Sequence, residues 1–145
     1  VREEPERSLL AMGDVLHRGG APQLCVLSPK GLTLYSAGED GDFDRKVFII
    51  ERVDRQIPHL MELQPGALIV TGDHSTPATY KAHSWHPVPT LLWAPATHMT
   101  DRAEAYGERE CMTGALGHFQ ATDLMPLALA HARVSRLISL RVSGI

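Results

Sequence analysis

The sequence predicts an α/β fold, with a mostly parallel sheet and flanking helices. Short apolar runs at residues 24–27, 32–35, 67–70 and 90–93 have the length of strands, and a stretch with helical spacing separates the second run from the third. The 145 residues, 43% of them hydrophobic, suffice for the core of one domain. Four strands are few for such a sheet, so we expect this chain to be part of a larger domain.

The most regular pattern lies in the first half of the chain. Apolar residues there recur at intervals of three and four and predict a helix with one apolar face, formed by Phe43, Val47, Ile50, Val53 and Ile57. Asp42 precedes the pattern as a suitable N-cap, and Pro58 should kink or restart the helix. Residues 97–117 lack periodicity and predict a loop with local turns. Thr122 or Asp123 can cap a final helix.

The chain divides into three predicted segments. Residues 1–21 are charged with some helical spacing and predict a peripheral N-terminal segment. Residues 22–133 predict a metal-binding α/β domain, and residues 134–145 an atypical tail. The first residue is Val rather than Met, which also suggests a piece of a longer product.

Charge and composition exclude several classes of function. A net charge of −3 gives no broad basic surface, so we expect no nucleic-acid partner. No run approaches the roughly 18 apolar residues that span a bilayer, so we expect no membrane partner. The two cysteines, Cys25 and Cys111, are far apart, which favours reduced thiols and a cytoplasmic location. An incomplete sheet leaves unpaired edges, so self-association as a homodimer is expected.

The strongest chemical signal is a loop rich in metal-ligating side chains. The apolar run 67–70 is followed by Asp73 and His74 in a Gly- and Pro-bounded segment, and His83 comes nine residues after His74. Carboxylate and neutral imidazole are the ligands that zinc or manganese accept from proteins. Open α/β sheets place their sites at the carboxyl ends of strands. The pattern predicts metal-assisted chemistry on an anionic substrate.

Ordinary structural explanations compete with this interpretation. Residues 71–77 are rich in turn formers, so Asp73 could simply hydrogen-bond its own backbone. His83 could be a solvated loop residue, and His86 is better explained as a surface residue or one that orients a ligand. The acidic residues Glu39, Asp40 and Asp42 could attract a cation or complement a helix dipole. The hydroxyls of Ser75 and Thr76 could contact phosphate or bond to nearby amides.

Several of these segments occur together in a specific order. They are residues 38–43 with the helix that follows, 71–77, 83–84, 87–89, 111–116 and 123–126. In this combination, over about residues 32 to 132, the chain resembles the C-terminal portion of the cofactor-independent phosphoglycerate mutases of the archaeal-type branch. These enzymes belong to the alkaline phosphatase superfamily. The resemblance implies a partial alkaline-phosphatase-like domain.

The resemblance also implies a chemistry. Intact members bind two divalent metals, with manganese or zinc expected and magnesium a further candidate. They transfer a phosphoryl group between 3-phosphoglycerate and 2-phosphoglycerate through a phosphorylated serine. On the matching positions, Asp73 and His74 would hold one metal and His83 the other. The family takes two more ligands, an Asp and a His, from positions that here carry Tyr35 and Glu39. Glu39 is a candidate ligand, whereas a protonated phenol is a poor one.

The resemblance leaves part of the active site unmatched. The family's nucleophilic serine, an early metal-binding Asp and the substrate-gripping domain lie N-terminal to every matched segment, and this chain has no room for them. We therefore expect an incomplete site and assign no catalytic residue. The alternatives are a non-catalytic metal-binding or interaction domain, or a related phosphatase. The expected ligand of the intact enzyme is a small phosphoglycerate-type anion.

Overall fold

A computed structural model describes residues 34–97 and 100–132. These residues form two compact units, which are treated separately: unit 1 contains residues 34–64 and 73–87, and unit 2 contains residues 65–72, 88–97 and 100–132. The predicted segments 1–21 and 134–145 and the predicted strand 24–27 lie outside the described residues. The boundaries of the predicted domain 22–133 therefore stay a prediction. Within the described residues, no helix has the length and apolar character required to span a membrane.

Unit 1 is built from three helices and an extended loop. Helix α1 spans Leu34–Asp40, α2 spans Phe43–Asp54 and α3 spans Ile57–Glu62. The Asp42 side chain accepts a hydrogen bond from the backbone N–H of Arg45 at 2.9 Å, which confirms the predicted N-cap of α2. A new helix starts around Pro58, as predicted, because proline fits the first turn of a helix but not its interior.

The connection between α1 and α2 is a two-residue turn that depends on Gly41. The N–H of Asp42 bonds to the carbonyl of Ala37 at 2.9 Å and that of Gly41 to the carbonyl of Gly38 at 3.2 Å, which is the Schellman pattern. Gly41 has φ of 77°, and a Cβ there would run into the side chain of Lys81. This turn sets the position of the last turn of α1, which carries a predicted metal ligand.

The predicted strand at residues 32–35 is wrong where the structure describes it. Leu34 begins α1, so residues 34–35 are helical. A four-residue segment is too short for its hydrophobic pattern to separate a strand from a helix. The good helix formers Ala37 and Glu39, together with the stop at Gly41, favour the helix.

The apolar face predicted for α2 coincides only in part with the side that the helix buries. Ile49 is 4% exposed, whereas Phe43 is 65% exposed and Ile50 is 51% exposed. The inward stripe of α2 contains Ile49 and the half-buried Val53, which are four residues apart. Because apolar residues occupy four consecutive positions from Val47 to Ile50, the periodicity was compatible with more than one face.

Unit 2 contains a two-stranded sheet. Strand β1, Leu68–Val70, pairs with β2, Leu91–Trp93, with Ile69 opposite Leu92. Both strands occur where the sequence predicts them, and the α/β class is confirmed. The pairing is antiparallel, however, so the described sheet corrects the prediction of a mostly parallel one. Parallel strands need a crossover, usually a helix, and the 20 residues from 71 to 90 contain no helix.

The rest of unit 2 contains short helices and several polar contacts. Helix α4 spans Glu108–Cys111 within the predicted loop, a 3-10 turn spans Ala121–Asp123, and α5 spans Leu124–His131 as predicted. The hydroxyl of Tyr106 donates to the carbonyl oxygens of Val70 at 3.1 Å and Pro89 at 2.9 Å. Burial raises the pKa of Tyr106 to about 12, and Cys111 adds to the shift.

Asp101 organises the loop that contains α4. Its carboxylate accepts backbone hydrogen bonds from Ala103 at 3.0 Å and Ala115 at 3.1 Å. These two bonds lower the pKa of Asp101 because they stabilise the ionised form, and the bond from Ala103 has the larger effect. The carboxylate therefore ties together the two ends of the segment 103–115, which contains α4.

Candidate metal centre

The loop of residues 73–87 in unit 1 folds back on itself through one pair of residues. Ser75 and Ser84 form an isolated antiparallel bridge, with the N–H of Ser84 bonded to the carbonyl of Ser75 at 2.9 Å. Ser75 is buried. Since His74 and His83 each precede a bridged serine, the fold brings these two imidazoles together although they are nine residues apart in sequence. Their rings stack with centroids 3.8 Å apart and planes inclined by 29°.

Asp73 and His74 form the first carboxylate–imidazole pair. Oδ2 of Asp73 lies 3.6 Å from Nε2 of His74, and Oδ1 accepts the backbone N–H of His74 at 3.0 Å. Asp73 thus makes the local backbone contact expected of an ordinary turn. Its second oxygen nevertheless faces the imidazole.

Glu39 and His83 form the second pair. Oε1 of Glu39 lies 3.3 Å from Nε2 of His83, and both side chains are about half exposed. Glu39 and Asp40 lie in the last turn of α1, where a helix dipole disfavours carboxylates, so the dipole does not explain them there. Asp42, by contrast, caps the N-terminus of α2.

The structure therefore brings together all four predicted ligands, Asp73, His74, His83 and Glu39, within unit 1. They form two pairs joined by the stacked imidazoles. Among residues 34–97 and 100–132, however, no set of three or more His, Cys, Asp or Glu side chains is arranged to hold a metal ion. Each pair supplies two ligands, whereas a zinc site uses four.

The pair distances can be compared with those that a metal requires. Two ligands that each lie about 2.1 Å from a tetrahedral zinc are about 3.4 Å apart. The N···O distances of 3.6 Å and 3.3 Å lie on either side of this value. Donor type and spacing within each pair thus resemble those of metal ligands, but two side chains are too few to hold an ion by themselves.

The sequence analysis missed Lys46 and did not identify His74 as the partner of the Thr76 hydroxyl. The imidazole of His74 is hydrogen-bonded through Nδ1 to Oγ1 of Thr76 at 3.1 Å, and Nζ of Lys46 donates to the carbonyl of Thr76 at 2.6 Å. From the sequence, the predicted partners of the Thr76 hydroxyl were phosphate or a nearby backbone amide. Lys46 lies three positions before the buried Ile49, on the same side of α2. A charged residue on the inward side of a helix is the feature by which Lys46 could have been found.

The neighbouring aromatic residues lie on the surface of unit 1. Trp85 is 82% exposed, stacks on His86 and meets Tyr80 edge to face. Nδ1 of His86 is hydrogen-bonded to Oγ of Ser84 at 2.8 Å, in line with the surface role expected of it.

Comparisons with known proteins agree with this chemistry. The sequence model of the Metalloenzyme superfamily matches residues 35–131. The chain is 55% identical over 97 residues to a probable 2,3-bisphosphoglycerate-independent phosphoglycerate mutase from Thermotoga neapolitana, covering 67% of this chain and 24% of that protein. A protein of the same name from Thermus thermophilus is 54% identical over 95 residues, covering 66% and 23%.

A solved structure extends the comparison to the fold. A protein from Pyrococcus horikoshii aligns with a TM-score of 0.66 and 34% identity, covering 71% of this chain and 32% of that one. The chain spans about a quarter of the length of the curated relatives it matches. The similarity therefore concerns one part of a longer protein.

Proposed function

The chain belongs to the Metalloenzyme superfamily, and on this basis we propose that it supplies part of the two-metal site of a cofactor-independent phosphoglycerate mutase. The observation that carries the proposal is the pairing of Asp73 with His74 and of Glu39 with His83 at spacings suited to metal ligation. The names of the relatives from Thermotoga and Thermus support the substrate class, a phosphoglycerate-type anion.

In this proposal each carboxylate–imidazole pair holds one divalent cation, manganese or zinc, with magnesium as a further candidate. Bound metal would supply charge neutralisation and orientation for an anionic phosphoryl group. Asp73 and Glu39 contribute negative charge, and the imidazoles contribute neutral nitrogen ligands. The remaining ligands and the nucleophile come from other parts of the longer protein.

Calorimetric titration of this chain with Mn²⁺ and Zn²⁺ tests the ligand assignment. We expect saturable binding of two ions, of which Asp73→Ala removes one and His83→Ala removes the other. The matched control is His59→Ala, since Nδ1 of His59 lies 3.7 Å from Glu62 in a similar exposed imidazole–carboxylate pair on α3. Equal heats for His83→Ala and His59→Ala would contradict the assignment.

A chimera tests the activity. Residues 35–131 would replace the matching segment of the Thermotoga neapolitana relative, and interconversion of 3- and 2-phosphoglycerate would be measured with added Mn²⁺. We expect activity that Asp73→Ala abolishes. An inactive chimera beside an active parent would contradict the proposal, and release of free phosphate without mutase product would indicate a related phosphatase.

A second candidate function is a non-catalytic metal-binding or interaction domain. It is favoured by the absence of a three-ligand group among the described residues, and by Tyr35 at a position where the resemblance implies a carboxylate. Restoring Tyr35→Asp and Glu39→His together in an inactive chimera discriminates the two. Recovered activity would mean that these two residues had disabled an otherwise competent site.

Self-association as a homodimer is a further proposal. It is supported by the exposed apolar side chains of α2, among them Phe43 and Ile50. Size-exclusion chromatography with light scattering tests it, and a monomer across the accessible concentration range would refute it.

A further inference from the structure

The imidazole of His74 has a different neighbour at each ring nitrogen. Nε2 faces Oδ2 of Asp73 at 3.6 Å, which is longer than a hydrogen bond but suits two ligands of one metal. Nδ1 lies 3.1 Å from Oγ1 of Thr76, within hydrogen-bonding distance. Thr76 is not among the residues that the sequence predicts as ligands, so its contact with His74 calls for a separate explanation.

Thr76 itself is held on two sides. Its carbonyl accepts a hydrogen bond of 2.6 Å from Nζ of Lys46, a half-buried residue of α2. Its methyl group and carbonyl oxygen would each be 2.9 Å from a Cβ placed on Gly38 of α1, so this helix approaches Thr76 at a distance that only glycine allows. Both helices that flank the loop thus fix the residue whose hydroxyl meets His74.

The chemistry of imidazole assigns a direction to this hydrogen bond. A histidine that binds a metal through Nε2 carries its proton on Nδ1, and that proton needs an acceptor to keep the ring in place. A hydroxyl can accept it. We infer that Thr76 is a positioning residue for His74: its hydroxyl accepts the Nδ1 proton and thereby presents Nε2 to a divalent cation beside Asp73. This inference rests on the proposed function, in that His74 is taken to be a metal ligand.

Nuclear magnetic resonance of the metal-free protein tests the hydrogen bond itself. Long-range ¹H–¹⁵N spectra of histidine-labelled protein at about pH 8, at which histidine is normally neutral, report which ring nitrogen carries the proton. We expect the Nδ1–H tautomer for His74 in the unsubstituted protein and in Thr76→Ser. Thr76→Val, which replaces the hydroxyl by a methyl group of similar size, should move the proton towards Nε2. The same change at the exposed Thr79 should leave His74 as it was.

Calorimetry with Zn²⁺ tests the consequence for the metal. We expect Thr76→Val to weaken binding by about 10–100-fold, as loss of a ligand's hydrogen-bond partner typically does. Thr76→Ser should keep most of the affinity, because serine retains the hydroxyl. If the methyl group of Thr76 mattered instead, through packing, Thr76→Ser would weaken binding as well. Unchanged affinity in Thr76→Val would overturn the inference.

The two experiments separate this inference from the proposed function. An Nε2–H tautomer for His74 in the unsubstituted protein overturns the role of Thr76 whatever the variants do. If the unsubstituted protein takes up no Zn²⁺, the proposed function fails. In that case the spectra of the metal-free protein still accept or reject Thr76 as the hydrogen-bond acceptor of His74.

Discussion

Replacement of Lys46 by Met should loosen the loop that carries the candidate ligands. The ammonium of Lys46 donates to the carbonyl of Thr76 at 2.6 Å, and both residues are half-buried. A hydrogen bond with a charged partner contributes about 1.5–3 kcal/mol. Water can reach this contact and can hydrogen-bond to the carbonyl of Thr76 once the ammonium is removed. We therefore expect a loss of about 1–2 kcal/mol in the free energy of local opening. Methionine retains much of the apolar length of the lysine side chain.

The amide of Ser84 is a direct probe of this change, since it donates to the carbonyl of Ser75 beside Thr76. A loss of about 1–2 kcal/mol corresponds to hydrogen exchange that is about 5–30 times faster. Arg55→Met, which removes one positive charge at an exposed position of unit 1, is the matched control and should leave the rate unchanged.

Two outcomes would refute the reasoning about Lys46. Exchange at Ser84 that is the same in Lys46→Met and in the unsubstituted protein would mean that the hydrogen bond does not anchor the loop. Acceleration of equal size at the amides of the β1–β2 ladder would mean that the substitution destabilises the whole chain. Only a change confined to unit 1 agrees with a local anchor.

Three further predictions concern the turns and loops. Gly41→Ala should destabilise the protein to urea by about 1–3 kcal/mol, and by more than Gly117→Ala, because both glycines have positive φ but only Gly41 is crowded by other atoms. Asp101→Asn should speed exchange of the Ala115 amide at neutral pH. Since the folded-state pKa of Asp101 is lowered, its contribution is fully present above the unfolded pKa of 3.8 and should be lost as the pH falls further, through the lower folded-state pKa. Tyr106→Phe should cost about 1 kcal/mol in thermal unfolding experiments. Because the pKa of Tyr106 is raised to about 12, its contribution is complete below about pH 10 and should be lost as the pH rises through 12, with no such loss in the Phe variant.

Much of the local structure could be predicted because it depends on neighbours in sequence. The N-cap at Asp42, the restart at Pro58 and the strands around residues 68–70 and 91–93 follow from side-chain chemistry and apolar runs that a short window contains. The face that α2 buries was not predictable in the same way. Apolar side chains surround much of its middle turn, and only packing against other residues selects Ile49.

The candidate site shows the same division. The sequence by itself determined the chemical types and the approximate places of Asp73, His74, His83 and Glu39, because carboxylates and imidazoles clustered near turn formers are visible without coordinates. Only the tertiary structure decided the pairing, Glu39 with His83 and Asp73 with His74, and the presence of Thr76 behind the imidazole. The physical reason is that a ligand's identity is a property of one residue, whereas a distance of 3.3 Å between residues 39 and 83 depends on how the helix, turn and loop between them pack.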